Sequence, residues 1–188
     1  MDLHNPWLDA GVARVAADPA AITRLFAAAA RHCGRADLPD PPGWTADQAA
    51  RARLLLALPA TELPGRLDDL YRHGDATEKL AVLKALPLLP IGAAAVPLLH
   101  DAIRTNDTRL VAAALGPYAR HLDQAAWRQA VLKCVFMGIP LAVVDGLTDR
   151  ADPELAVMTA GLRDEREAAG RPFPDDARTL LDKIETEV

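Results

Sequence analysis

Residues 45–59, "TADQAARARLLLALP", carry the signals that decide the fold class. Thr45 and Gln48 stand three apart, the spacing of a capping box, in which two side chains satisfy N–H groups that a first helical turn leaves open. Alanine, leucine and arginine follow, all strong helix formers, and Pro59 stops the run. The same punctuation recurs on both sides. Upstream, "DPAAITRLFAAAARHCG" (18–34) offers Asp18 as N-cap, Pro19 at the first helical position and Gly34 past the end. Downstream, "TELPGRLDDLYRHG" (61–74) predicts a shorter helix closed by Gly74, and "DATEKLAVLKALPLLP" (75–90) repeats the capping box with Asp75 and Glu78.

The rest of the chain follows suit. "AAAVPLLHDAIRTN" (93–106) has a proline that belongs in the first turn or at a kink. "DTRLVAAALG" (107–116), "LDQAAWRQAVLKCVFMG" (122–138) and a short "PLAVVDGL" (140–147) come next. "DPELAVMTAGLRDEREAAG" (152–170) starts with Asp152 as cap and Pro153 at the first helical position, and "DDARTLLDKIETEV" (175–188) ends the chain. Only residues 139–144 hint at a strand, too short a run for a sheet. The expected fold is all-α: a HEAT-like α-solenoid or an irregular helical bundle of about nine or ten helices. The helix lengths carry the solenoid reading, since no sequence repeat is evident. "RADLPDPPG" (35–43) is the best linker, so the expected organisation is an N-terminal helical pair over 1–36, a linker over 37–44 and one helical domain over 45–188.

Composition narrows the function classes. Hydrophobic residues make up 51% and aromatics only 4%, so the core must be Ala, Leu and Val. With 26 acidic and 21 basic residues the net charge is −5, which argues against a nucleic-acid partner. No apolar run is long enough to span a membrane, and the N-terminus has no signal-peptide pattern, so a soluble cytoplasmic protein is expected. Cys33 and Cys134 lack zinc or disulfide spacing, and the five histidines are scattered without metal-ligand spacing, so neither metal nor cofactor is expected. There is no GxSxG, Walker, GxGxxG or HExxH pattern, and no serine at all. Trp7, Trp44 and Trp127 read as core anchors.

Two helices carry residues that do not fit a plain core. In "AVLKCVFMGIP" (130–140) Lys133 interrupts an apolar run. Trp127, Ala130, Val131, Cys134, Val135 and Met137 cover one broad face, with Leu132 and Phe136 on the other side. A helix apolar nearly all round belongs in the middle of its domain. Gln129 and Lys133 share one strip. In residues 153–171, Leu155, Met158, Leu162 and Ala169 form a stripe with Glu165 on one shoulder and Arg166 on the other. A half-buried charge needs a partner. Lys133 and Glu165 therefore read either as an ion pair fixing helix register or as part of a polar patch that grips a small molecule.

Residues 127–172 resemble the EboA family. Its members carry a tryptophan followed by Gln-Met-Val-Leu-Lys-Ala/Cys and a Phe, matched here by Trp127, Gln129, Val131, Leu132, Lys133 and Phe136. The family's Gly-Leu-x-x-Arg turn is matched by Gly146, Leu147 and Arg150, its Leu-Ala by Leu155 and Ala156, and its Glu-Arg-x-Ala-Ala-Gly-Arg by residues 165–171. Earlier, "LKALPLLP", the Arg104-Thr105-Asn106 turn and "GPYAR" also resemble family motifs, so the likeness covers about residues 45–172. Gly116, Ala119 and Ala130 depart from the pattern, and Leu162-Arg163-Asp164 replaces Tyr-Ala-His, which removes a histidine.

The resemblance implies a helical accessory protein of secondary metabolism, encoded beside a UbiA-like prenyltransferase, a metal-dependent TIM-barrel hydrolase and a sugar-phosphate cyclase homologue. Its expected partners are a small-molecule metabolite and other pathway proteins, including a membrane prenyltransferase. The motif-matching polar residues define an expected ligand site of Arg104, Asn106, Tyr118, Gln129, Lys133, Arg150, Glu165, Arg166 and Arg171. Lys133 and the arginines would hold an anionic or carbonyl-bearing group. Two alternatives stay open: a cofactor-independent enzyme with Lys133 and Glu165 as catalytic pair, or a helical scaffold for pathway proteins.

Overall fold

The computed structural model describes residues 3–187, so Met1, Asp2 and Val188, at the ends of the first and last expected stretches, lie outside the described residues. It contains eleven α-helices and no strand among the described residues, an all-α fold as expected. The chain forms two compact units, Met1–Leu98 and Leu99–Val188.

In the first unit α1 (Pro6–Ala17) and α2 (Ile22–Cys33) are separated by a 3-10 turn, Pro19–Ala21, capped by the Asp18 carboxylate on the Ala20 N–H. The single helix expected there thus starts as a tighter turn. Next come α3 (Ala46–Leu56), α4 (Leu63–His73) and α5 (Ala76–Ala85). Asp75 and Glu78 close the expected capping box reciprocally, at 2.8 and 3.0 Å. The Thr45 N–H donates to Gln48 Oε1 at 3.3 Å.

Helix α3 is the centre of this unit, packed by α1, α2 and α5. Its alanines at 46, 49, 50 and 52 are buried and let neighbouring backbones approach closely. Burial extends to Asp47 and Arg51, which pair at 2.5 Å inside the helix layer. The Pro-rich segment before it folds back through an antiparallel bridge between Asp37 and Thr45. Lys84 pins this loop, donating to Gly43 O and Gln48 Oε1 and lying 4.7 Å from the Trp44 ring centre.

The second unit starts within α6 (Val96–Arg104), where Pro97 sits in the first turn as anticipated. It continues with α7 (Thr108–Ala114), a 3-10 turn at Pro117–His121 and α8 (Gln124–Met137). Residues 139–144 form no strand but a 3-10 turn, Leu141–Val143, because a lone extended segment would have no partner for its backbone groups. A one-turn helix α9 (Leu147–Arg150), then α10 (Pro153–Ala168) and α11 (Asp175–Glu187), complete the unit. Helix α8 packs on α7 and α10, and α10 on α11. Its inner face buries Trp127, Ala130, Val131, Cys134 and Val135. The Cys134 thiol is pushed up to about 12, chiefly by burial and then by nearby Asp176, which makes it an inert core residue at neutral pH.

Candidate functional site

One groove in the second unit collects the residues that looked odd in the sequence. Helix α8 supplies Gln129, Leu132, Lys133, Phe136 and Met137 to it, and α10 supplies Met158, Gly161, Leu162 and Glu165. Ile103 and Asn106, at and just past the end of α6, form the remaining wall. The groove has a volume of about 620 Å³, within the range of small-molecule sites. Phe136 is 62% exposed, and Leu132 is half-buried. The expectation that α8 is enclosed on all sides is therefore corrected: its second apolar side lines an open groove.

Helices α8 and α10 flank this groove. At their starts Arg128 binds Asp152, and near their ends Arg166 donates to Phe136 O at 3.4 Å. Gly161 and Lys133 both line the groove between these ties. A Cβ built on Gly161 would meet nothing within 4 Å, so the missing side chain widens the groove there.

Lys133 has partners, but not the one its sequence context suggested. Its ammonium donates to Ile103 O at 2.6 Å and Thr105 O at 2.8 Å. These are carbonyls at the C-terminal end of α6, where the helix dipole is negative and backbone acceptors lack intrahelical donors. Among the described residues no ion pair joins Lys133 to Glu165, which is exposed. The charge is thus a helix cap that holds the Arg104–Asn106 turn against α8.

The other expected ligand residues divide sharply. Asn106, Gln129, Lys133 and Glu165 line the groove, whereas Arg104, Tyr118, Arg150, Arg166 and Arg171 do not. Arg150 is an internal clamp: it donates to Ala119 O, Leu122 O and Gln124 Oε1, and its guanidinium lies 4.7 Å from the Trp127 ring centre. Burial lowers its pKa, with Asp123 opposing, yet a guanidinium stays charged throughout. Tyr118 is buried against His121. Arg166 donates to Pro172 O at 2.9 Å, the exposed Arg104 lies 3.6 Å from Asp101, and Arg171 is exposed.

Sequence reasoning missed three features of this region. Gly161, Met137 and Met158 shape the groove, and two of the chain's three methionines are here, where flexible thioethers give an adaptable wall. Asp152 does more than cap α10. It accepts from the Leu155 N–H, Gln124 and Arg128, and the Arg128 hydrogen bond, followed by those from Leu155 and Gln124, holds its carboxyl well below the usual carboxylate range against an opposing effect of burial. A depressed folded-state pKa means that the stabilisation is fully present above the unfolded value and is lost as pH falls through and below about 4. Wild type should therefore unfold at a higher temperature than Asp152→Asn at pH 7, and the gap should narrow as the pH is lowered from 4 towards 2. A gap that stays constant over that range would remove the carboxylate from this role.

A family model described as metabolite traffic protein EboA matches residues 27–181. The chain belongs to the EboA family. No curated protein and no solved structure matches it. The EboA match takes in the whole groove, including every residue of α8 and α10 named above, and extends beyond the 45–172 region of motif resemblance. Among the described residues no helix is long and apolar enough to cross a membrane, and no cluster of three or more His, Cys, Asp or Glu is placed to hold a metal ion.

Proposed function

We propose that this EboA-family protein binds a small secondary metabolite, or its precursor, in the groove between α8, α10 and the end of α6, and assists its movement or maturation. The observation that carries the reading is the groove itself. It joins apolar walls to a few polar side chains at a volume suited to a drug-sized molecule, and residues from three family-like motifs line it. Membership of a metabolite traffic family supports a small-molecule cargo rather than a large substrate. Lys133 acts in this reading as the brace that keeps the wall at Asn106 in place. Pathway proteins, a membrane prenyltransferase among them, are the proposed donors or acceptors of the cargo.

The test is to incubate the purified protein with extract of producing cells, wash it, and identify retained small molecules by mass spectrometry, beside a blocked variant. Gly161→Ala should fold at least as well as wild type, because the new Cβ meets open space and alanine favours a helix over glycine by about 0.5–1 kcal/mol. Gly161→Trp should keep the helical circular-dichroism spectrum and lose binding by roughly tenfold or more, since an indole fills much of the groove. A compound retained unchanged by wild type and lost in Gly161→Trp supports a carrier. Conversion of a compound would instead make the protein an enzyme. Equal retention by both proteins would take the ligand out of this groove.

A further inference from the structure

The hydrogen-bonding capacity of the groove is not evenly spent. Three of the cations that the sequence offered for an anionic ligand are engaged elsewhere: Lys133 gives two of its three donors to the end of α6, Arg150 is clamped on three oxygen partners, and Arg166 binds Pro172 O and Phe136 O, while Arg104 and Arg171 lie outside the groove. By contrast the side chains of Asn106, Gln129 and Glu165 make no hydrogen bond or ion pair among the described residues. Of the groove's two charged side chains only Glu165 is without a partner among the described residues, whereas Lys133 keeps its charge but turns two of its donors to backbone carbonyls. Phe136, 62% exposed, lines the same groove as Glu165. An aromatic face and a carboxylate on one apolar groove are the groups that recognise an organic ammonium.

We infer that the groove selects an elongated apolar molecule bearing an amine, in preference to the matching alcohol and, above all, to the matching acid. This rests on the groove being the ligand site, as proposed above. The ammonium sits between the Glu165 carboxylate and the Phe136 ring. The apolar body lies along α8 over the ~12 Å that separates Gln129 from Met137. Asn106 and Gln129 meet any neutral polar group at the far end. An acid would bring its charge towards Glu165 and find a single charged donor, the one remaining N–H of Lys133, beside the neutral amides of Asn106 and Gln129.

The experiment compares decylammonium, decanol and decanoate, below their micellar concentrations, by titration calorimetry against wild type, Gly161→Trp and Glu165→Gln. The expected order for wild type is amine, then alcohol, then acid, with the amine favoured over the alcohol by about tenfold, the size of one accessible charge pair plus one cation–π contact. Gly161→Trp should weaken all three, and Glu165→Gln should remove the preference for the amine while leaving the alcohol unchanged. Acid binding as tight as amine, with both lost in Gly161→Trp, would overturn the amine selection and leave the groove as the site. Binding of all three unaffected by Gly161→Trp would overturn the groove reading itself.

Discussion

Asp47→Ala is expected to destabilise the first unit by about 3–5 kcal/mol, the cost of leaving a buried charge without its counter-ion. Asp47 and Arg51 are 1% and 2% exposed, one turn apart in the central helix α3. The carboxylate takes the Arg51 N–H at 2.5 Å and the Thr45 hydroxyl at 2.6 Å. Arg51 also donates to Phe26 O at 3.1 Å and lies 5.3 Å from the Phe26 ring centre, tying α3 to α2. Removing the carboxylate leaves the buried guanidinium without a counter-ion, held only by Phe26 O and the Phe26 ring. The melting temperature should fall by on the order of 10 °C. The double replacement Asp47→Leu with Arg51→Met should recover much of the loss, since an apolar pair of similar volume has no charge to desolvate. Thermal unfolding of the three proteins checks this. An Asp47→Ala melting temperature within a degree or so of wild type would mean that Arg51 finds another partner.

Lys133→Met should lower stability by about 2 kcal/mol, or roughly 5 °C in melting temperature, while keeping the apolar stem. Two carbonyls at the end of α6 lose a charged donor, although the open groove lets water replace part of it. The local effect should exceed the global one. Amide exchange should quicken around residues 105–111, where the turn after α6 leads into α7 and the Asp107 cap. Lys133→Arg should restore only part of the loss, because a planar fork cannot reproduce the geometry of one ammonium on two carbonyls. Any weakening of metabolite binding in Lys133→Met should track the loosening of the Asn106 wall. Unchanged exchange in residues 105–111 would show that the cap carries no stability there.

The helices were legible in the sequence because the groups that start and stop them lie within three or four residues of one another. Asp18, Asp75 and Asp152 find their backbone partners locally, Pro59 follows the end of α3, Gly138 ends α8 in the left-handed region, and Gly74 follows α4 where a Cβ would meet Leu70 O. The all-α class and the family motifs needed nothing further. Which polar residues meet was another matter. Lys133 and its carbonyl partners are 28 and 30 residues apart, and Arg150 is 26 to 31 from the oxygens it holds. A helical wheel puts such a side chain on a face but is blind to the helix opposite. Glu165 therefore looked like the partner of Lys133 because both flank apolar seams, whereas the end of α6 comes nearer and offers two unfilled acceptors.

The sequence by itself determined the helices, their caps and the family. Only the tertiary structure decided that α8 and α10 flank one groove, that Gly161 leaves space in it, and that Lys133 and Arg150 serve the fold while Glu165 stays without a partner among the described residues. Caps depend on short-range geometry that each segment carries with it, but a groove exists only where separate segments pack and leave room between them.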